Sequence, residues 1–342
     1  MGIILAIIIF SIIIIIHEFG HFLLAKQHGI RVNEFAVGMG PKVFSFQKGD
    51  TVYALRAFPF GGACMMQGED ADDVDEGSFN SKSVWARMSV VLAGPIFNFL
   101  LALLFAMFII FNAGYRDGEI GAVEAGTPAA QAGLRAGDVI TKVNHTDIHM
   151  FEELQMYMYF NPGETYEITY ERDGVKAVTM LESFYDETTG SYRIGIASAL
   201  PKQPGFLDLF KYGFYEVKYN ITSVVKSLGM LVTGGVSKDD IAGPVGIVNL
   251  IDENYQVAKD YGAMSVILTM AQLVVVLSAN LGVMNLLPIP ALDGGRFLFL
   301  IVEAIKGKPL NREREGLINM IGFAALMVLM VVVLFNDISN LF

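Results

Sequence analysis

Two histidines flank a glutamate in His17-Glu18-Phe19-Gly20-His21. On a helix, residues four apart share one face, so both imidazoles reach a single Zn2+ with ring nitrogens ~2.0–2.1 Å from it. Glu18 then stands beside the open coordination position, where it can take a proton from a water attacking a carbonyl. With five histidines and 18 glutamates in 342 residues, chance placement gives on the order of 0.004 such patterns. Polar residues that merely end an apolar helix need no particular spacing, and the spacing present is the one a metal requires.

A catalytic zinc takes a third protein ligand and keeps one position open. His28 lies on nearly the same helical face as His21, and Cys64 lies in a Gly-rich segment. His145 and His149 fall in a region that the order of spans puts on the opposite side of the membrane. Asp293, in NLLPIPALDGGR, is the strongest candidate. Pro288 and Pro290 interrupt a helix and free backbone groups there, and Gly294 and Gly295 permit close approach. On spacing alone LDGG also reads as a turn.

Holding these groups falls to helices in a membrane. The chain is 53% hydrophobic and 17% charged, against ~45–50% and ~25% in soluble domains, and its mean hydropathy is +0.48. Four apolar stretches approach or exceed the ~20 residues a span needs, and transmembrane helices are expected over residues 1–25, 90–113, 264–287 and 317–336. The first stretch lacks basic residues before the apolar run and a small-residue cleavage site, so it reads as retained. A charged side chain in a span costs roughly 2.5–3.5 kcal/mol, so His17, Glu18 and His21 after IIIFSIIIII mark function. One cysteine excludes an intramolecular disulfide, and a net charge of −11 disfavours nucleic acid as a partner.

The 24 basic residues divide unevenly, with seven between Lys26 and Ser89, five between Pro288 and Gly316, and the other 12 in the long middle segment. Basic short loops favour the cytoplasm. Residues 26–89 and 288–316 are therefore expected inside, and the middle segment and both termini outside. Residues 26–89 contain three Gly-rich apolar runs, FAVGMGPKVFSF, TVYALRAF and GGACMM. They read as short strands of a segment that re-enters the membrane region and flanks a site, because strand-like backbone at that depth must line a cavity or be buried in protein. Residues 114–200 alternate short strands (GDVITKVN, ETYEITYERDG, KAVTMLESF, YRIGIA) with turns and helix-like stretches at 129–132 and 151–159. Residues 201–263 read as an amphipathic connector, its helix lying at the membrane interface, packed on the spans or part of the outer domain. Residues 288–316 read as the LDGG segment and a cytoplasmic loop.

HEFGH at the end of a first span, FPFGG, AGPIFNFLLA, GPVGIVNLI and NLGVMNLLPIPALDGG together resemble the site-2 protease family of intramembrane zinc metalloproteases. The similarity is greatest to its bacterial RseP/RasP-like branch and extends across nearly the whole chain. It implies that His17, His21 and Asp293 bind Zn2+, that Glu18 is the catalytic base, and that Asn280, Asn285 and Asn98 hold substrate backbone or support the site. Helix packing beside Gly94 is an equal reading of Asn98. Cys64 stands where the family pattern has a tyrosine. GAVEAGTPAAQAGLRAGDVITKVN resembles a PDZ module, whose peptide groove would involve Arg193–Ile196; the length allows one such module.

The fold expected is thus an α-helical polytopic membrane protein with four transmembrane helices, a β-rich re-entrant segment and one extracytoplasmic PDZ domain of mixed α/β type. The resemblance implies a multi-pass protein of the bacterial cytoplasmic membrane that cuts transmembrane segments of single-span proteins, such as anti-sigma factors or remnant signal peptides. A substrate helix must unwind first, and an edge strand at Gly38–Phe46 or Thr51–Phe58 would replace its lost hydrogen bonds. The competing reading is a catalytically inactive membrane scaffold that recruits partners through the PDZ domain.

Overall fold

A computed structural model describes residues 1–69, 75–235, 243–309 and 311–339. Residues 70–74, 236–242 and 310, parts of the 26–89, 201–263 and 288–316 segments, lie outside the described residues. Contacts divide the chain into two units, Met1–Phe105 with Leu228–Phe342, and Ala106–Ser227.

The first unit holds the helices α1 (Gly2–Gln27), most of α2 (Val84–Ala113), α6 (Pro244–Lys259), α7 (Ala263–Leu286), α8 (Asp293–Lys306) and α9 (Arg312–Ser339). Four helices are long and apolar enough to cross a membrane: α1, α2, α7 and the Glu313–Asp337 part of α9. Their lengths follow from uninterrupted apolar runs at 1.5 Å per residue. Helix α2 starts six residues before the expected span because Ser83 Oγ accepts the Ala86 N–H at 3.3 Å, capping an extra polar turn. Arg87 on that turn pairs with Glu303 of α8, its Nη1 lying 3.1 Å from Oε2.

Small residues let these helices meet closely. A Cβ on Gly20 would lie 2.5 Å from the Ala93 carbonyl oxygen, so α1 and α2 pack there nearly backbone to backbone. Between α7 and α2, Ser278 Oγ donates to the Asn98 carbonyl at 2.8 Å.

Two departures from expectation concern polar connections. The 288–316 segment is not simply a loop: it contains α8, an amphipathic helix too short and too charged to read as a span. The connector contains a separate helix, α6, whose first turn is capped by the buried Asp337 of α9. That carboxylate accepts N–H groups from Gly243, Val245 and Gly246 at 2.8–3.0 Å, an anion at the positive end of a helix.

The three expected runs in 26–89 form two long strands, β1 (Val32–Lys48) and β2 (Thr51–Met66). Their pairing shifts register: 62–66 lies along 32–37, 51–56 along 42–48, and 52–55 also beside 34–37. Residues 52–55 are therefore flanked on both sides and form no edge, which corrects part of one of the two docking strands expected for substrate.

The second unit carries the mixed α/β domain. Its four-stranded sheet has the order β5-β4-β6-β7, with β4 at Val139–Val143, β5 at Thr146–Asp147, β6 at Thr165–Arg172 and β7 at Val175–Glu182. Separate pairs are formed by β3 (Ile120–Val123) with β10 (Ile196–Ser198), and by β8 (Phe184–Asp186) with β9 (Ser191–Arg193). Ile120, Ile140, Leu154, Tyr166 and Ile168 form its core with the short helix α3 (Pro128–Gln131) and α4 (Phe151–Phe160). YRIGIA is not one strand: Gly195, at φ +85°, breaks it between β9 and β10.

The unit extends past the expected boundary at residue 200. The first part of α5 (Phe206–Thr233) packs on the domain, with Tyr212 stacked on Tyr115 at 3.7 Å between centroids and Lys226 over the Tyr157 and Phe160 rings. Residues 206–227 of this helix thus belong to the same compact unit as the mixed α/β domain.

Two hydrogen bonds from the Arg172 guanidinium, at 2.7 and 2.8 Å, hold the Asp138 carboxyl below its ordinary range against the opposing effect of burial. A carboxylate depressed in the folded state stabilises fully above the unfolded value of ~3.9 and loses that contribution as pH falls through the lowered value. Asp138→Asn should lower the thermal midpoint of this unit at pH 7 by about 4–8 °C. The difference should shrink as pH drops below about 4. Scanning calorimetry of both proteins across pH checks it; an equal deficit at pH 7 and pH 3 would contradict the assignment.

Candidate metal centre

Helix α1 presents His17 and His21 on one face, both buried. Asp293 opens α8 after the proline-broken turn that follows α7. The three side chains converge. His17 Nε2 lies 3.2 Å and His21 Nε2 3.4 Å from Asp293 Oδ2, and the two imidazole nitrogens lie 3.2 Å apart. Tetrahedral ligands at ~2.0–2.1 Å from zinc stand about 3.3–3.4 Å from one another, so the triangle has the size the ion requires. Asp293 Oδ2 is also buried with no hydrogen-bond partner, an arrangement that is costly unless a cation completes it. Two nitrogens and one carboxylate oxygen form a donor set suited to catalytic zinc. The residues present fit the group.

Glycines make the convergence sterically feasible. A Cβ on Gly94 of α2 would sit 2.3 Å from His21 Nε2 and 2.7 Å from His17 Cε1, so any side chain there would fill the space between the two imidazoles. Cβ atoms on Gly294 and Gly295 would lie 2.2 Å from the Leu287 carbonyl oxygen and 2.3 Å from that of Ile289. The two glycines of LDGG therefore let the first turn of α8 fold against the end of α7, which a turn reading alone does not require.

The surrounding shell orients both rings. His21 Nδ1 is 2.8 Å from the Val90 carbonyl, an acceptor that puts the proton on Nδ1 and frees Nε2 for a metal. His17 Nδ1 is 3.2 Å from the Asn98 carboxamide, whose Oδ1 is buried without a partner. Asn285 Nδ2 approaches His17 Nε2 at 3.4 Å. Asn280 is exposed, and among the described residues it forms no hydrogen bond with the site. Glu18 is half-buried on α1, and a Cβ on Gly62 of β2 would lie 2.9 Å from its Cγ.

The alternative ligands point elsewhere. His28 Nε2 bonds Ser89 Oγ at 2.8 Å, and His149 contacts Glu153 at 3.3 Å. Cys64 is not part of the one cluster of metal-ligating side chains found among the described residues. Gly94 and the Val90 carbonyl were not singled out as site groups by their sequence. Glycine in an apolar span has many uses, and a backbone carbonyl leaves no mark on residue type.

The model of Peptidase family M50 matches residues 5–329. The chain belongs to this family. The zinc metalloprotease RasP of Bacillus licheniformis is 34% identical over 423 aligned positions, covering 98% of each chain. The regulator of sigma-W protease RasP of Bacillus subtilis is 33% identical over 422 aligned positions, covering 98% of each chain. That alignment exceeds the 342 residues here, so RasP carries sequence that this chain lacks. The PDZ domain of an SdrC-like protein from Listeria monocytogenes matches 25% of this chain and 87% of its own, at 23% identity and a TM-score of 0.22. As a member of the M50 family, the protein is a metalloendopeptidase of site-2 protease type that uses Zn2+ within the membrane.

Gly94→Ala tests the steric reading. Alanine is the better helix former by ~1 kcal/mol, so the substitution should leave α2 folded while weakening zinc binding about tenfold or more. Zinc content of the purified variant measures this; wild-type stoichiometry and affinity would contradict it.

Proposed function

We propose that His17, His21 and Asp293 hold the zinc, that Glu18 is the general base, and that the substrates are transmembrane segments of single-span proteins. The observation that carries this reading is the triangle of ligand atoms, with Asp293 Oδ2 otherwise unpartnered. Bound zinc supplies Lewis acidity toward the scissile carbonyl and lowers the pKa of a water to about 7. Glu18 takes the proton from the attacking water and returns it to the leaving amine. Among the described residues no hydrogen bond occupies its carboxylate, which supports that role.

With Nε2 of His17 given to a cation, Nδ1 carries the proton and needs an acceptor. A half-turn of the Asn98 amide brings Oδ1 to it, so Asn98 fits a supporting role better than a substrate contact. Asn285 is near enough to the ligand triangle to meet substrate backbone. Asn280, about 140° around α7 from Asn285, is assigned to substrate by resemblance alone.

A substrate helix must open before its carbonyl can be attacked. The 62–66 stretch of β2 pairs with β1 on one side only among the described strands, and its Gly62 end abuts Glu18. This stretch, rather than Thr51–Phe58, is the edge favoured for an unwound segment, which would pair with it as an added strand.

The wider setting we infer is a bacterial cytoplasmic membrane, which the resemblance implies, with the 114–200 domain as a PDZ module on the outer side, which charge and span order support. In that domain β10 pairs with β3 alone among the described strands, which leaves it one edge for a peptide. The Bacillus subtilis relative is named a regulator of sigma-W, and anti-sigma factors are the corresponding substrate class here, with remnant signal peptides the other. An inactive scaffold would have no need to retain all three ligands and the base.

Two substitutions test the roles. Glu18→Gln should keep zinc and fold while reducing cleavage of a model transmembrane substrate by at least a hundredfold, in line with general-base contributions of ~10²–10⁴. Asp293→Asn should lower bound zinc as well. Normal cleavage by the Glu18→Gln variant, or full zinc content without the Asp293 carboxylate, would refute the assignments.

A further inference from the structure

The turn that delivers Asp293 contains a backbone outlier. Ala291 adopts φ +73°, in the left-handed region. Among the described residues the other non-glycine cases are Asn144 and Asp173, types whose polar side chains tolerate that conformation. Alanine has no such help, so the surroundings must hold it.

The hydrogen bonds of the turn show what does. Pro288 and Pro290 have no N–H. Ile289 N–H bonds the Leu287 carbonyl at 2.7 Å, and Leu292 N–H bonds that of Ile289 at 3.2 Å. The N–H of Ala291 is instead taken by α9, where Asn319 Oδ1 accepts it at 3.3 Å. One helical turn further along the same face, Gly322 is buried against the preceding residue: a Cβ there would lie 2.5 Å from Pro290 Cβ and 2.8 Å from its carbonyl oxygen. Helix α9 is otherwise the most exposed of the four candidate spans. It meets the Asp293 turn with one hydrogen bond and one glycine.

We propose that Asn319 and Gly322 of α9 are positioning residues for the metal centre, holding Pro290–Ala291 in the strained turn that aims the Asp293 carboxylate at His17 and His21. The inference rests on the reading of Asp293 as a zinc ligand. Relaxation of Ala291 to negative φ would redirect the chain two residues before the ligand, whereas a metal site tolerates only about 0.5 Å of displacement. The fourth span thereby contributes to zinc affinity without touching the ion.

The test is zinc affinity of the full-length protein in detergent, measured by competition with a fluorescent chelator after metal removal. Asn319→Ala and Gly322→Ala should each weaken binding about tenfold, the lower end of effects from outer-shell partners. Ala291→Gly alone should bind as wild type, because glycine adopts positive φ without strain. Combined with Asn319→Ala it should recover most of the lost affinity, a rescue that general damage to α9 would not show. Wild-type affinity in Asn319→Ala, or no recovery in the double variant, would overturn the proposal. Asp293→Asn is the control: if it binds zinc normally, the ligand assignment itself fails, and if it alone loses zinc, only the role of α9 fails.

Discussion

Three electron-rich atoms held within 3.4 Å of one another inside a bundle of apolar helices repel one another unless a proton or a metal cation lies among them. The rest of the first unit accommodates that convergence. Gly20 brings α1 against α2, Gly94 leaves the space between the two imidazoles, and Gly294 and Gly295 let α8 begin directly against the end of α7. Each is a site where one methyl group would enter a backbone or a ligand. Packing by small residues is a common way for helices to associate in lipid, and here the same contacts set the size of the His17–His21–Asp293 triangle.

The second unit is built differently. Its core is Ile120, Ile140, Leu154, Tyr166 and Ile168, and the start of α5 packs through Leu209, Tyr212, Tyr215 and Tyr219 with Ile110 and Met150. Leu207, Phe210 and Phe214 of that helix remain exposed, the reverse of what a core helix of an isolated soluble domain shows. The chain thus joins a bundle of apolar helices to a folded domain of mixed α/β type.

Much of the centre could be read from residue order because its signals are local. The His17–His21 spacing reports a shared helix face, and PIPALDGG combines two breakers with two permissive residues around one carboxylate. The four candidate spans were legible for the same reason, as long apolar runs. What escaped depends on partners distant in sequence. Helix α8 is short and carries Arg296 and Glu303, whose pairing with Glu69 and Arg87 cannot be inferred from the segment itself. TVYALRAF and GGACMM read as separate strands because Pro59 stands between them, and they join as the single strand β2, whose register against β1 shifts along its length. Asn280 and Asn285 look alike as polar residues in an apolar helix, and only the phase fixed by packing separates the exposed one from the one beside His17.

The account stands on zinc held by two imidazoles and one carboxylate, with no sulfur. X-ray absorption at the zinc edge of the purified full-length protein tests this directly. The expected spectrum shows only nitrogen and oxygen scatterers at ~2.0–2.2 Å, with the outer-shell pattern of two imidazoles. A sulfur scatterer at ~2.3 Å, which would bring Cys64 to the metal, or a fit that needs a single imidazole, would contradict it.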